Sequence, residues 1–247
     1  MTPPSFEALE RHTSVALSFS GGKDGLACVY MLRDRLHELT VYHMDTGDLL
    51  PEMMEVVEHV KRFAPNFVHL RQDVTAWIEE NGLPTDLLPH SAHTVGYAMG
   101  ELSHKLVSRY NCCFTNLMAP TYQRVVKDGN TLMIRGTKRV DMATLPLRSG
   151  DVTIDGVELL YPLQEWTDAD VFAYLRRVGA PISRVYDHAV NSPECARCSA
   201  WWGEGRNAYL KKYHPSLWLE YRARLKIIRN AIDGPLENLR KEEVLDA

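Results

Sequence analysis

The residues best suited to chemistry in this chain of 247 residues fall into three short stretches. Ser20-Gly21-Gly22-Lys23-Asp24-Gly25 sits between an apolar run and an amphipathic one. Glycines there let a backbone approach an anion, the unpaired amides of a helix start favour bound phosphate, and Lys23 adds a point charge. Asp24 would repel phosphate by itself. It makes sense either with a Mg²⁺ between carboxylate and phosphate or as the partner of Lys23. A Walker loop needs Gly-x4-Gly-Lys-Ser/Thr, which this stretch is not. Asp45-Thr46-Gly47 ends the next apolar run. Asp45 there could meet ribose hydroxyls or a metal. Cys195-Ala-Arg-Cys198 reads as a zinc half-site, a redox pair or half of an iron–sulfur site. Adjacent Cys112 and Cys113 raise the thiol count to four, which suits Zn²⁺ or an Fe–S cluster.

The elements that must hold these residues follow from periodicity. Val15–Phe19 is a short strand ending at the glycines. Leu26–Leu36 has helical spacing, with Cys28 on its apolar side as a core thiol. Leu39–Met44 is a strand cut off at Asp45. Pro51 opens a helix running to about Phe63, and Phe67–Leu70 is a third strand. This alternation implies an α/β fold with a mostly parallel, helix-covered sheet. Ligands of such sheets bind at the carboxyl edge, where both the glycine loop and Asp45 fall. Leu83–Gly96 is irregular, and a helix is expected over Glu101–Tyr110. Thr131–Arg135 and Val157–Tyr161 read as strands, with a turn-rich stretch from Arg139 to Asp155 between them. Thr167 reads as a helix cap, with Asp170 three residues on. A long amphipathic helix follows near the C-terminus, with Gly234-Pro235 as its stop.

Composition bounds the rest. Apolar residues make up 45% and charged residues 24%, as in an ordinary globular protein. A net charge of −4 argues against bulk electrostatic binding of nucleic acid. No apolar run reaches membrane-spanning length and no leader pattern opens the chain. The expectation is therefore a cytoplasmic location, where disulfides are disfavoured.

Taken together, "SGGKDG", "HMDTGDLLPE", "IRGTKRVD" and "YPLQEWTDADVFAYLRRVGAPISRVYD" resemble the PP-loop superfamily of adenine-nucleotide enzymes. Within it they resemble the phosphoadenylyl-sulfate and adenylyl-sulfate (PAPS/APS) reductase group. The resemblance implies a PP-loop domain over residues 1–200 with a helical C-terminal extension over 201–247. It implies that Ser20, Gly21, Gly22, Lys23, Asp24 and Gly25 hold nucleotide phosphates, with Lys23 and Asp24 closest to the chemistry. It places Asp45, Thr46 and Gly47 near the nucleotide, and makes Arg135, Lys138 and Arg139 anion contacts. Gly25 departs from the usual serine, which removes one hydroxyl but leaves the amide. The APS reductase branch also implies that Cys112, Cys113, Cys195 and Cys198 bind a [4Fe–4S] cluster.

Reductases of this group attack the substrate sulfur with a cysteine in a C-terminal Glu-Cys-Gly-Leu/Ile-His segment. No cysteine follows Cys198 here. The expectation is thus an enzyme that binds ATP or a related adenine nucleotide, with Mg²⁺ as a further cofactor, and acts at the α-phosphate in sulfur metabolism. The alternatives are a reductase whose thiol comes from another chain, and a nucleotide or redox sensor without catalysis. Partners in this view are the nucleotide and a thiol or sulfur donor protein, with room for a nucleic-acid acceptor and a homo-oligomer. His90 and His93 read as loop or lid residues, and Trp201-Trp202 as packing around the cluster. Arg222, Arg224, Lys226 and Arg229 read as a solvated helix face.

Overall fold

The computed structural model describes residues 4–87, 98, 104–142, 148–189, 195–200, 202 and 205–244. His90, His93 and Trp201 lie outside them. The chain divides into two compact units. One holds Met1–Asp45, Leu49–Gln72 and Met118–Arg184, and the other Thr46–Asp48, Asp73–Leu117 and Val185–Ala247. Residues 201–247 therefore share a unit with 73–117 and 185–200.

The first unit is built on a five-stranded parallel sheet. Its strands are β1 (Val15–Ser18), β2 (Thr40–Asp45), β3 (Phe67–Arg71), β6 (Leu132–Ile134) and β7 (Glu158–Leu160), in the order β3-β2-β1-β6-β7. Every pairing is parallel, with Leu17 opposite both Val41 and Ile134. Strand residues are apolar on both faces, as a doubly covered sheet requires. Val15, Leu17, Val41, Leu132 and Ile134 pack under helices α1 (Lys23–Met31), α2 (Pro51–Lys61) and α6 (Asp168–Arg177). Ala16, Tyr42, Met133 and Leu159 face the other way, onto Val125 of α5 (Ala119–Lys127). The strand order reverses between β1 and β6, which makes their carboxyl ends the topological switch point.

The second unit contains a two-stranded parallel sheet of β4 (Leu83–Thr85) and β5 (Leu106–Ser108). Around it are α3 (Val74–Asn81), α4 (Arg109–Cys113), α7 (Arg206–Tyr213) and α8 (Pro215–Val244). Val74, Ile78, Leu83, Leu106 and Ile228 form its apolar core together with Cys112.

Several local expectations need correcting. The first helix starts three residues early, at Lys23, and ends at Met31, where a 3₁₀ turn over Arg33–Glu38 takes over. Leu32 and Leu36 are still buried, so the apolar spacing is used by a tighter coil. The helix expected over Glu101–Tyr110 is contradicted at Leu106–Ser108, where strand pairing with Leu83–Thr85 takes the backbone donors. The Leu83–Gly96 stretch thus begins with a strand. Gly234-Pro235 does not stop the last helix, which runs through Pro235 to Val244. Residues 233–243 of it are exposed. Among the described residues no helix is long and apolar enough to cross a membrane.

Candidate functional site

The glycine loop leaves β1 at the switch point. Gly21 has a φ of +93°, and a Cβ there would lie 2.9 Å from Val57 Cγ2, so only glycine fits. Gly22 caps α1 in an extended conformation, and the first helical bond runs from Leu26 N to Gly22 O at 3.0 Å. The amides of Lys23, Asp24 and Gly25 therefore have no helical acceptor. Ser20 Oγ accepts the Gly22 N–H at 3.4 Å.

A buried charge network lies behind this loop. Lys23 is 3% exposed and Lys138 is 1% exposed. Lys23 Nζ pairs with Asp24 Oδ2 and with Asp168 Oδ1, each at 3.0 Å. Lys138 Nζ pairs with Asp24 Oδ1 at 2.9 Å, Asp141 Oδ2 at 3.1 Å and Asp168 Oδ1 at 3.3 Å. Burial alone would lower the pKa of both lysines, but the carboxylates, Asp24 first, hold both above the ordinary lysine value. Burial would likewise raise Asp168, yet its bond to Lys23 and both ammonium charges keep it below the usual carboxylate range. Of the two roles open to Asp24, the geometry shows the lysine partner. An ammonium group lies within ion-pair distance of each of its oxygens.

The loop after β6 closes on the first. A Cβ on Gly136 would lie 2.6 Å from the Asp24 carbonyl carbon and 2.8 Å from Gly25 N, so the two backbones touch. Arg135 extends the β6 ladder through its N–H to Leu160 O at 2.9 Å. Arg139 is exposed, ion-paired with Glu165, and takes no part in the buried network. Asp45, at the end of β2, accepts from His69 Nε2 at 3.3 Å. Gly136 and Asp168 were missed in the sequence. Both lie inside the motifs quoted above, but their roles depend on through-space contact with Asp24 and Lys23.

In the second unit the cysteines are partly brought together. Cys112 and Cys195 belong to one apolar cluster. Burial first, and then the Cys198 sulfur, push the Cys112 thiol up to about 11, against the pull of Asn116 and Arg224. Asn116 Nδ2 lies 3.9 Å from Cys112 Sγ. Cys113, the next residue on α4, is half-buried. Thr46 is buried, with its hydroxyl accepting from Cys195 Sγ at 3.4 Å, and Gly47 has a φ of +74°. Asp48, also missed in the sequence, fixes the C-x-x-C loop. Its carbonyl accepts from Ala196 N at 2.6 Å, and its carboxylate accepts from Arg197 N at 3.1 Å and Arg197 Nε at 2.6 Å. Trp202 is 41% exposed and donates to Ser199 O.

Among the described residues no three His, Cys, Asp or Glu side chains converge as a single ion would need. An all-thiol donor set around an apolar wall nevertheless has the chemistry that an iron–sulfur cluster takes.

The fold and the loop thus define an α/β protein with a glycine-rich strand-to-helix turn at the switch point of a parallel sheet. The model of the phosphoadenosine phosphosulfate reductase domain matches residues 14–201, and the chain belongs to that family of enzymes. Relatives named adenosine 5'-phosphosulfate reductase occur in Allochromatium vinosum, Burkholderia cepacia and Salinibacter ruber. The first is 21% identical, covering 75% of this chain and 68% of its own length. The second is 23% identical, covering 80% and 79%, and the third 28%, covering 72% and 64%. Among solved structures, a PAPS reductase from Candida auris in a phosphate complex aligns with a TM-score of 0.48 at 16% identity, covering 70% of this chain and 76% of its own. The U34-tRNA thiolase NcsA from Methanococcus maripaludis, with its [4Fe-4S] cluster, aligns at 0.49 and 13%, covering 91% and 76%. At these scores the structural likenesses add nothing to the family assignment.

Proposed function

We propose that this chain is an adenine-nucleotide enzyme of sulfur metabolism that acts at the nucleotide α-phosphate. The observation that carries this reading is the buried Lys23–Lys138 pair at the start of α1. Two buried ammonium groups held charged by carboxylates are a ready phosphate clamp. An arriving phosphate would exchange for carboxylate oxygens at Lys23 and Lys138, while the amides of Lys23, Asp24 and Gly25 take further phosphate oxygens. Asp24 and Asp168 keep both lysines charged until then. Arg135, Asp45, Thr46 and Gly47 are proposed nucleotide-side contacts, and Arg139 an outer one. Catalysis would rest on positioning and charge neutralisation. An acceptor atom bonds to the α-phosphorus as the bond to the leaving group breaks. With ATP the leaving group is pyrophosphate.

Cys112, Cys113, Cys195 and Cys198 would hold a [4Fe–4S] cluster, which supplies a soft site for sulfur or electrons when bound. The remaining thiol, Cys28, is fully buried, and burial first and then Asp24 push it far above the ordinary thiol range. It is no nucleophile.

A second reading is favoured by the names of the curated relatives. In it the chain is a sulfonucleotide reductase whose attacking thiol comes from another chain. That thiolate would take the sulfonate from the nucleotide and release AMP or its 3'-phosphate, and a second thiol would then release sulfite.

One anaerobic experiment tests both readings. The purified protein is incubated with ATP, APS or PAPS, with and without thioredoxin, and pyrophosphate and sulfite are measured. Acceptor-dependent pyrophosphate supports the first reading, and thioredoxin-dependent sulfite the second. Nucleotide binding without either product overturns both.

A further inference from the structure

We infer that α7 and α8 carry a docking surface for double-helical nucleic acid, held by its phosphate backbone. The inference goes beyond the proposed chemistry and does not rest on it.

The whole chain has a net charge of −4, yet residues 205–230 hold seven lysines or arginines and one acidic residue, Glu220. Some of these charges are engaged within the unit. Arg224 is half-buried and donates to Arg197 O at 3.0 Å, Glu220 pairs with Arg197, and Arg206 is buried over the Tyr221 ring. What remains on the outside has one sign. Trp218, Arg222, Lys226 and Arg229 recur at helical spacing, so they form one ridge over about three turns, roughly 16 Å long. Lys211 of α7 joins its end. Lys211 Nζ lies 5.5 Å from the centre of the Trp218 ring and Arg222 Cζ lies 4.8 Å from it, while the indole N–H donates to Asn207 Oδ1 at 2.8 Å. Lys211, Arg222, Lys226 and Arg229 are all exposed.

Such a ridge works against the helix that carries it. Arg222 with Lys226 and Lys226 with Arg229 are like-charge pairs four and three residues apart, which destabilise a helix. Among the described residues no carboxylate pairs with Lys211, Arg222 or Lys226. The Arg229–Asp233 pair, at 3.8 Å with side chains 66% and 61% exposed, offsets little. The last turns of the same helix differ, because Glu237 there pairs with both Arg240 and Lys241. Unpaired cations repeating every 4.5–6 Å or so along an axis complement a polyanion whose charges also repeat along an axis. The aromatic rings beside them are half-buried and already carry cations, Lys211 and Arg222 over Trp218 and Lys212 over Tyr213 at 4.8 Å. They do not stand open as a platform for an unpaired base. The surface therefore suits the backbone of a duplex better than a single strand.

The test is fluorescence anisotropy of a labelled DNA duplex of about 20 base pairs, titrated with the full chain between about 50 and 200 mM salt. Four phosphate contacts give a slope of log affinity against log salt of about −3.6, a loss of about 150-fold over that range. Arg222→Gln should bring the slope to about −2.7 and weaken binding about eightfold near 0.1 M salt. Arg222→Lys keeps the charge and should keep the slope. Arg240→Gln, on the same helix but paired with Glu237, should leave slope and affinity unchanged. Both positions are exposed, so each variant should melt like wild type. A wild-type slope shallower than about −1, an unchanged slope in Arg222→Gln, or an equal loss in Arg240→Gln would overturn the inference. So would tighter binding to poly-glutamate or to phosphatidylserine vesicles, which would assign the ridge to an acidic protein or a membrane.

Discussion

Replacing Lys138 by methionine probes the buried network most sharply. The ammonium, 1% exposed, serves Asp24, Asp141 and Asp168. Removing one partner from a buried ion pair costs about 3–5 kcal/mol. Here the three carboxylates are 25%, 40% and 33% exposed, so water recovers part of the loss, and Lys23 still serves Asp24 and Asp168. Solvent screening brings the expectation to about 2 kcal/mol. For a chain of this size that is a fall in Tm of about 4–8 °C. Urea unfolding across pH separates charge from packing. Asp168 is held below its unfolded value of 3.8, so its contribution is present above that pH and lost as pH falls through its lowered pKa. Lys23 and Lys138 are held above 10.5, so theirs is present below that pH and lost as pH rises through the raised values. The gap between wild type and Lys138→Met should be widest near neutral pH and close towards both extremes. A gap that is constant with pH would mean that only packing was lost, and the charge argument would be wrong.

Other consequences follow from the same contacts. Gly136→Ala puts a methyl group within 2.8 Å of the Asp24–Gly25 backbone, so the loops must part. Nucleotide affinity should fall at least about tenfold and stability by about 1–3 kcal/mol, checked by titration and thermal melting. Gly25→Ser should do the opposite for binding. Its Cβ meets Phe19 Cδ2 at 3.1 Å, a small adjustment, and its hydroxyl adds a phosphate donor. Affinity should rise by a few-fold, worth about 1 kcal/mol. Cys28 should resist iodoacetamide in the folded chain and label only on unfolding, and Cys28→Ala should keep full turnover.

The sequence was most readable where structure is local. The alternation of short apolar strands with amphipathic helices announced a parallel sheet covered by helices. The Thr167 cap with Asp170 appears as a complete capping box. The glycine loop was legible because its residue types fit almost nothing else. What stayed hidden was non-local. Asp48 and Arg197 are 149 positions apart, and nothing near either one announces the other. Asp168 reads as an ordinary acidic first-turn residue until Lys23 and Lys138 are seen to meet on it. The strand at Leu106–Ser108 exists because Leu83–Thr85 supplies a partner, and three residues carry too little periodicity to show that alone.

The central claim is that the Ser20–Gly25 loop, with Lys23 and Lys138, recognises nucleotide phosphate. Calorimetric titration of AMP against adenosine tests it most directly. The account predicts that AMP binds at least about tenfold more tightly, and that Lys23→Ala cuts the preference markedly by removing a charge-assisted bond while Lys138 and the amides remain. Equal affinity for the two ligands, or a preference untouched by Lys23→Ala, would contradict it.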